Sequence, residues 1–239
     1  MPMDWSTFSK LKDNYSMFFD HMYTCELCLE ATSDKIGICT SCQYDLPYSG
    51  LSCPQCSEPC TSEGRCGDCQ KKPPSFDYSH CSLLYYHPVP HWLHRCKDKP
   101  DLRLAKRFAQ LMFDAAPIFT VPPDFLTYIP TTRRRLFTRG FNLSEELCQQ
   151  LGTQLNIPIL RNALHKSRHT EQRRATAQER RRRDTGLRST NKDLSGQHIL
   201  IIDDVMTTGG TLQQAAALLK SQGASTVGAW CLARTPKPI

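Results

Sequence analysis

The chain has 239 residues, 39% of them hydrophobic and 22% charged, and a formal net charge of +7. It is long enough for one sizeable core plus a small module, and no apolar run reaches the roughly 18 residues of a membrane-spanning helix. Thirteen cysteines would suit a secreted disulfide scaffold, but nine fall between Cys25 and Cys69, and Met1 to Met22 lacks the apolar segment of a secretory signal. Paired thiols without a signal point instead to metal in a reducing compartment, so the expected location is the cytoplasm.

Residues 1–23 read as an N-terminal lead, with Phe18, Phe19 and Tyr23 as docking aromatics. Residues 24–70 read as a cysteine module. Cys25-x2-Cys28, ten residues, then Cys39-x2-Cys42 gives one four-thiolate set; Cys53-x2-Cys56, nine residues, then Cys66-x2-Cys69 gives a second. A C-x-x-C turn puts two sulfurs on one side of a knuckle, and two knuckles complete a tetrahedron about zinc. Four protein ligands leave no open position, so two structural Zn2+ ions are expected. Consecutive pairing makes two zinc ribbons and interleaved pairing a cross-braced module; the similar short spacings favour the first. Cys60 stands outside both sets. Redox chemistry is disfavoured, because it needs one C-x-x-C beside a helix, not four in series.

Residues 71–77, opened by Lys71-Lys72-Pro73-Pro74, form a linker, since proline pairs end regular structure. Over 78–239 the pattern turns to α/β. His80 to Tyr86 reads as a strand, Val89 to Cys96 and Leu102 to Phe113 as helices with Pro100 starting the second, and Phe125 to Ile129 as a strand ended by Pro130. Leu143, Leu147, Leu151 and Leu155 recur every four residues, a helix stripe capped by Asn142. Ile157 to Leu160 reads as a short strand. Strands alternating with helices imply a mostly parallel sheet covered on both faces. Trp92, Leu93, Cys96, Cys148 and Cys231 read as core.

From Arg161 to Arg188 there are nine arginines and one lysine against Glu171, Glu179 and Asp184, so the chain's whole net charge resides there. Such a stretch is either a solvated hood over a ligand or a contact for nucleic-acid phosphates. Next, Ile199 to Ile202 reads as a buried strand carrying Asp203 and Asp204 at its C-terminal end, the edge where open α/β sheets bind ligands. Thr207-Thr208-Gly209-Gly210-Thr211 then leads into a helix from Leu212 to Lys220. Free backbone N–H groups and hydroxyls there suit a phosphate, while the acids suit sugar hydroxyls or magnesium. A last strand runs from Thr226 to Leu232.

The run from Ile199 to Thr211 resembles, without a gap, the phosphoribosyl-pyrophosphate (PRPP) motif of type I phosphoribosyltransferases. The resemblance implies that Asp203 and Asp204 contact the ribose hydroxyls and that Thr207, Thr208, Gly209, Gly210 and Thr211 cradle the 5′-phosphate, with Mg2+ accompanying PRPP. The cations after the strand at Tyr128, Arg133 and Arg139 with Gly140 and Asn142, are candidates for pyrophosphate or nucleic acid, since arginine forks match phosphate oxygens in pairs. Arg139-Gly140-Phe141-Asn142, the double zinc ribbon and the terminal motif together look like the ComF/GntX group of DNA-uptake and competence proteins. Arg168-His169-Thr170-Glu171-Gln172 and Arg180 fit only loosely that group's Arg-x-Thr-x-x-Gln-like stretch, with Gln172 one position early, which adds Arg168 and Arg180 as candidates. The chain departs where the group shows Arg-x-x-Asn and then Ala-Phe; here stand Arg180 to Arg183 and Leu187-Arg188.

The resemblance implies a type I phosphoribosyltransferase fold with an N-terminal zinc-ribbon module, and a DNA-uptake factor that binds PRPP and single-stranded DNA. It also implies contact with uptake machinery, without membrane insertion, in the cytoplasm or peripherally at the inner face of the cytoplasmic membrane. A catalytic phosphoribosyltransferase is the alternative, with the acceptor unidentified because no segment selects a nucleobase and no general base stands out. A third reading is a PRPP-sensing regulator without catalysis.

Overall fold

A computed structural model describes residues 23–34, 36–98, 101–132, 136–137, 140–166 and 186–237. The chain divides into two compact units, with the boundary between Leu46 and Pro47. That boundary falls inside the 24–70 span, so the two cysteine sets lie in different units.

The first unit holds strands β1 (Tyr23–Thr24) and β2 (Ala31–Thr32), paired antiparallel, and the short helix α1 (Thr40–Tyr44). Among its described residues, Ile38 and Leu46 are buried apolar side chains alongside Cys25.

In the second unit, helix α2 (Gly67–Lys71) starts after Cys66 and carries Cys69, the last cysteine of the second set. The main elements are β3 (Tyr78–Leu84), α3 (Val89–Asp98), α4 (Leu102–Asp114), β4 (Phe125–Tyr128), α5 (Leu143–Leu155), β5 (Leu164–Lys166), β6 (Leu187–Ser189), β7 (His198–Met206), α6 (Gly210–Lys220) and β8 (Thr226–Arg234). Four strands form a parallel sheet in the order β3-β8-β7-β4, and β5 and β6 pair as an antiparallel ribbon. Burial of Ile199, Leu200, Ile201 and Ile202 to 0% exposure explains the continuous apolar run in β7. Parallel strands need cover on both faces. Ile199 and Ile201 pack with Leu212, Ala215, Ala216 and Leu219 of α6. Leu200 and Ile202 point the other way, because side chains alternate along a strand. Trp92, Leu93, Cys96, Cys148 and Cys231 are buried, as read from the sequence.

Two local expectations are corrected. Ile157 to Leu160 is no strand: it makes one parallel bridge, Leu126 to Ile159. Pro158 lends its carbonyl to Leu126 N but has no N–H to continue a ladder. Helix α4 is capped by Asp101, whose Oδ1 accepts from Arg103 N and Leu104 N at 3.0 and 3.1 Å, one residue after the proline expected to start it.

Candidate functional site

The cleft arises from unequal strand lengths. β4 pairs with β7 only as far as Tyr128 opposite Ile202, so Asp203 to Met206 project beyond it. The chain after β4 turns aside at Ile129-Pro130-Thr131, and α5 begins opposite. Together with Lys97, Lys166, Ser144, Asp203 and Asp204 they enclose a cavity of about 170 Å³. A crevice outside the carboxyl ends of parallel strands is where such sheets bind ligands.

Asp203 is only 8% exposed. Its Oδ1 accepts from Ser144 Oγ at 2.8 Å and from Asp204 N at 2.9 Å. Burial, and then the charge of Asp204, push its carboxyl up to about 7 against the pull of those two donors and of Lys166. Asp204 is balanced differently: its Oδ2 lies 2.5 Å from Lys97 Nζ, at the end of α3. Lys97, Lys166 and Ser144 were not singled out in the sequence. The helix pattern in the sequence ends at Cys96, one residue short of Lys97.

Asn142 precedes α5 as expected but makes no side-chain cap bond. Its Nδ2 instead donates to Ile129 O at 3.1 Å and ties the turn after β4 to the helix. That is a correction to its capping role: the amide donates to a tertiary carbonyl, and its oxygen accepts no bond from the first-turn N–H groups of α5. Gly140 sits at φ 75°, a region costly for residues with a side chain, and donates to Leu136 O. Arg133, Arg139, Arg168 and Arg180 lie outside the described residues.

The Thr/Gly loop leaves β7 at Met206. Gly209 adopts φ 73° and N-caps α6, so Gly210 and Thr211 form the first turn, where backbone N–H groups lack helical partners. Thr207, Thr208 and Gly209 line a second cavity, of about 300 Å³, with Cys56, Cys69, Lys72, Phe76, Arg234 and neighbours. Adjacent in sequence, the acids and the loop thus face different cavities.

Each cysteine set comes together by consecutive pairing, with its four sulfurs within 4.8 Å of one another. Cys28 and Cys39 sulfurs are 3.7 Å apart, and Cys56 and Cys66 sulfurs 3.6 Å. A tetrahedral zinc–thiolate centre requires sulfur separations of about 3.8 Å, so both sets fit such an ion. Burial opposes ionisation of Cys25 and Cys53, yet backbone N–H donors prevail and lower their thiols to about 6 and about 7. Cys60 joins neither set; its thiol donates to Glu58 O.

Residues 137–238 match the phosphoribosyl transferase domain family. With the parallel sheet and the cysteine clusters, that match identifies a type I phosphoribosyltransferase fold preceded by a zinc-ribbon type of module. The chain is 33% identical over 206 residues to the DNA utilization protein YhgH of Escherichia coli O157:H7, covering 83% of this chain and 91% of that one. It is 29% identical over 214 residues to competence protein F of Haemophilus influenzae, with 84% and 91% covered. Competence protein ComFC of Bacillus subtilis is 27% identical over 210 residues, with 83% and 84% covered. Similarity of that extent to the first of these makes this chain a member of the ComF family of DNA utilization and competence proteins.

Proposed function

We propose that the protein is a DNA-uptake factor whose cleft binds Mg2+-PRPP and whose arginine-rich segment binds single-stranded DNA. One observation carries the ligand: a buried acid pair and a glycine-opened helix N-terminus succeed each other on one strand end. Asp203 and Asp204 hold the ribose hydroxyls, and Thr207 to Thr211 receive the 5′-phosphate. Lys97 and Lys166 add positive charge to the ribose and pyrophosphate end, where Arg133 and Arg139 complete the grip. Magnesium supplies charge neutralisation of the pyrophosphate when it is bound with PRPP. The names of the relatives, DNA utilization and competence, support the DNA role. So do ten cations within 28 residues from Arg161 to Arg188, enough to neutralise several phosphates.

Calorimetry with Mg2+-PRPP tests the cleft. Asp203→Asn with Asp204→Asn is expected to weaken binding by about a hundredfold through two lost charged acceptors; unchanged affinity would sink the assignment. The pH dependence has a definite sign. Asp203 faces Asp204, Lys97, Lys166, Ser144 and the Cys231 thiol, and its raised carboxyl holds a proton below about pH 7. Sugar hydroxyls donate best to the ionised form. Wild-type affinity therefore rises from about pH 6 to 8, with proton release detectable in buffers of different ionisation enthalpy.

Fluorescence anisotropy with single-stranded DNA tests the second half, with and without Mg2+-PRPP at two salt concentrations. Charge reversal at Arg180 to Arg183 is expected to flatten the salt dependence, by about one unit of slope per lost phosphate contact. A slope identical to wild type removes the segment from the DNA site. No binding under any condition favours phosphoribosyl transfer to another acceptor.

A further inference from the structure

Among the described residues of the second unit, the most heavily bonded buried charge is Arg234, at the end of β8 and 3% exposed. Its Nε donates to Cys56 O at 3.1 Å, on the knuckle of the second cysteine cluster. Its Nη2 meets Glu58 Oε2 at 2.5 Å, two residues further along the same knuckle. On its other side Nη1 donates to Met206 O at 3.0 Å, to Thr207 O and to Thr235 O. One guanidinium thus spans from the metal knuckle to the first two carbonyls of the Thr/Gly loop, across the cavity both line.

These bonds set the direction of the loop amides. In a planar trans peptide the N–H points opposite to the C=O of the same unit. Arg234 draws the carbonyls of Met206 and Thr207 towards itself, which turns the N–H groups of Thr207 and Thr208 away from it. The knuckle end is equally defined. Cys53 N donates to Glu58 O at 2.8 Å, Ser57 N to Cys53 O at 2.8 Å, and Lys237 N to Glu58 Oε1 at 2.8 Å. An ion held by Cys53, Cys56, Cys66 and Cys69 fixes the turn that carries both Cys56 O and Glu58. Without that anchor the guanidinium keeps its charge in a buried site and loses the geometry of its partners, which drives it to rearrange.

We propose that Arg234 is a positioning residue for the 5′-phosphate site, coupling metal occupancy of the second cysteine cluster to the phosphate loop. The proposal rests on the PRPP reading above for its ligand. It requires no contact between Arg234 and PRPP: the residue acts through the two peptide planes it holds.

The test uses the full chain and Glu58→Gln, which keeps the shape of the partner and removes its charge, beside Cys66→Ser, which removes a ligand of the second ion. Two probes separate the ends of the site: ribose 5-phosphate, which needs the loop, and magnesium pyrophosphate, which does not. Glu58→Gln is expected to retain both ions by metal analysis. It should weaken ribose 5-phosphate by about tenfold, the scale of one charge-assisted hydrogen bond, while pyrophosphate changes by less than about twofold. Equal losses for both probes, or none for ribose 5-phosphate, would overturn the coupling. Hydrogen exchange over residues 206–212 reads the same coupling without ligand. Faster exchange in either variant supports it, and wild-type protection in both overturns it. Wild-type protein that binds neither ribose 5-phosphate nor PRPP refutes the ligand assignment, and the exchange result then decides the coupling separately.

Discussion

The two cysteine clusters are the same object locally and different objects in their surroundings. Cys25 N bonds Glu30 O at 2.7 Å and Leu29 N bonds Cys25 O at 2.9 Å; Cys53 N bonds Glu58 O and Ser57 N bonds Cys53 O, each at 2.8 Å. Leu29 at φ 64° and Ser57 at φ 53° occupy the same left-handed step of the knuckle. Cys39 and Cys66 each precede a five-residue helix, with backbone angles of −65°, 157° and −65°, 160°. The first cluster is braced within its own unit, where Gln43 Nε2 donates to Asp34 Oδ2 and to Ile38 O. The second is joined to the sheet. Leu84 N bonds Pro47 O, Ser49 N bonds Ser82 O and Ser79 N bonds Pro54 O, so the chain around the cluster covers the outer edge of β3. An uncovered edge strand is a template for unwanted pairing. Cysteine spacing fixes the knuckle; what is packed behind it decides whether an ion held there would support a small module or the parallel sheet.

The largest test of that difference is ligand removal. Cys69→Ser is expected to release one metal ion and lower the melting temperature of the sheet by on the order of 10 °C, because metal binding there is folding energy for the larger unit. Cys42→Ser also releases one ion but should leave that transition within about 2 °C. Calorimetric scans with metal analysis decide it, and equal shifts would erase the distinction. A chelator sharpens the same contrast. Cys28 is exposed, whereas Cys53 and Cys69 are both buried, so the first cluster is expected to lose its ion sooner.

Both clusters, and the acid pair with its Thr/Gly loop, were legible in the sequence because each is a short-range constellation. Metal spacing and a strand–turn–helix motif are written in neighbouring residues. Arg234 and Lys97 were not, although they bear on the same sites. Arg234 meets a glutamate 176 residues away, from a strand whose sequence pattern ends at Leu232. Lys97 follows the last apolar residue of α3, and only the fold brings it onto Asp204. Asn142 failed in the opposite direction: a sound local preference for capping gave way to a carbonyl supplied by the turn after β4. The β7 strand also continues four residues beyond its apolar run, through Asp203 and Asp204 to Met206, because β8 goes on pairing with it. Cross-strand support of that kind leaves no periodic trace in the strand itself.

The smallest effect lies at the shared left-handed step of the two knuckles. Ser57 is 0% exposed and its Oγ lies 2.8 Å from Ser79 Oγ, while Leu29 is 76% exposed. Ser79 Oγ also donates to Gln55 O at 2.9 Å, which uses its one proton, so Ser57 is the donor between the two hydroxyls. Ser57→Ala removes that donor and leaves Ser79 its bond to Gln55. The expected loss is about 1 kcal/mol, or a melting temperature lower by about 2–4 °C. Leu29→Ala alters only exposed apolar surface at the corresponding step, and its expected change is below about 0.5 kcal/mol. Both alanines keep the left-handed backbone angle, so the strain cancels in the comparison and the difference reads the buried hydrogen bond of Ser57. Equal stability changes would mean that the knuckle, not the sheet behind it, sets the energetics of the second cluster.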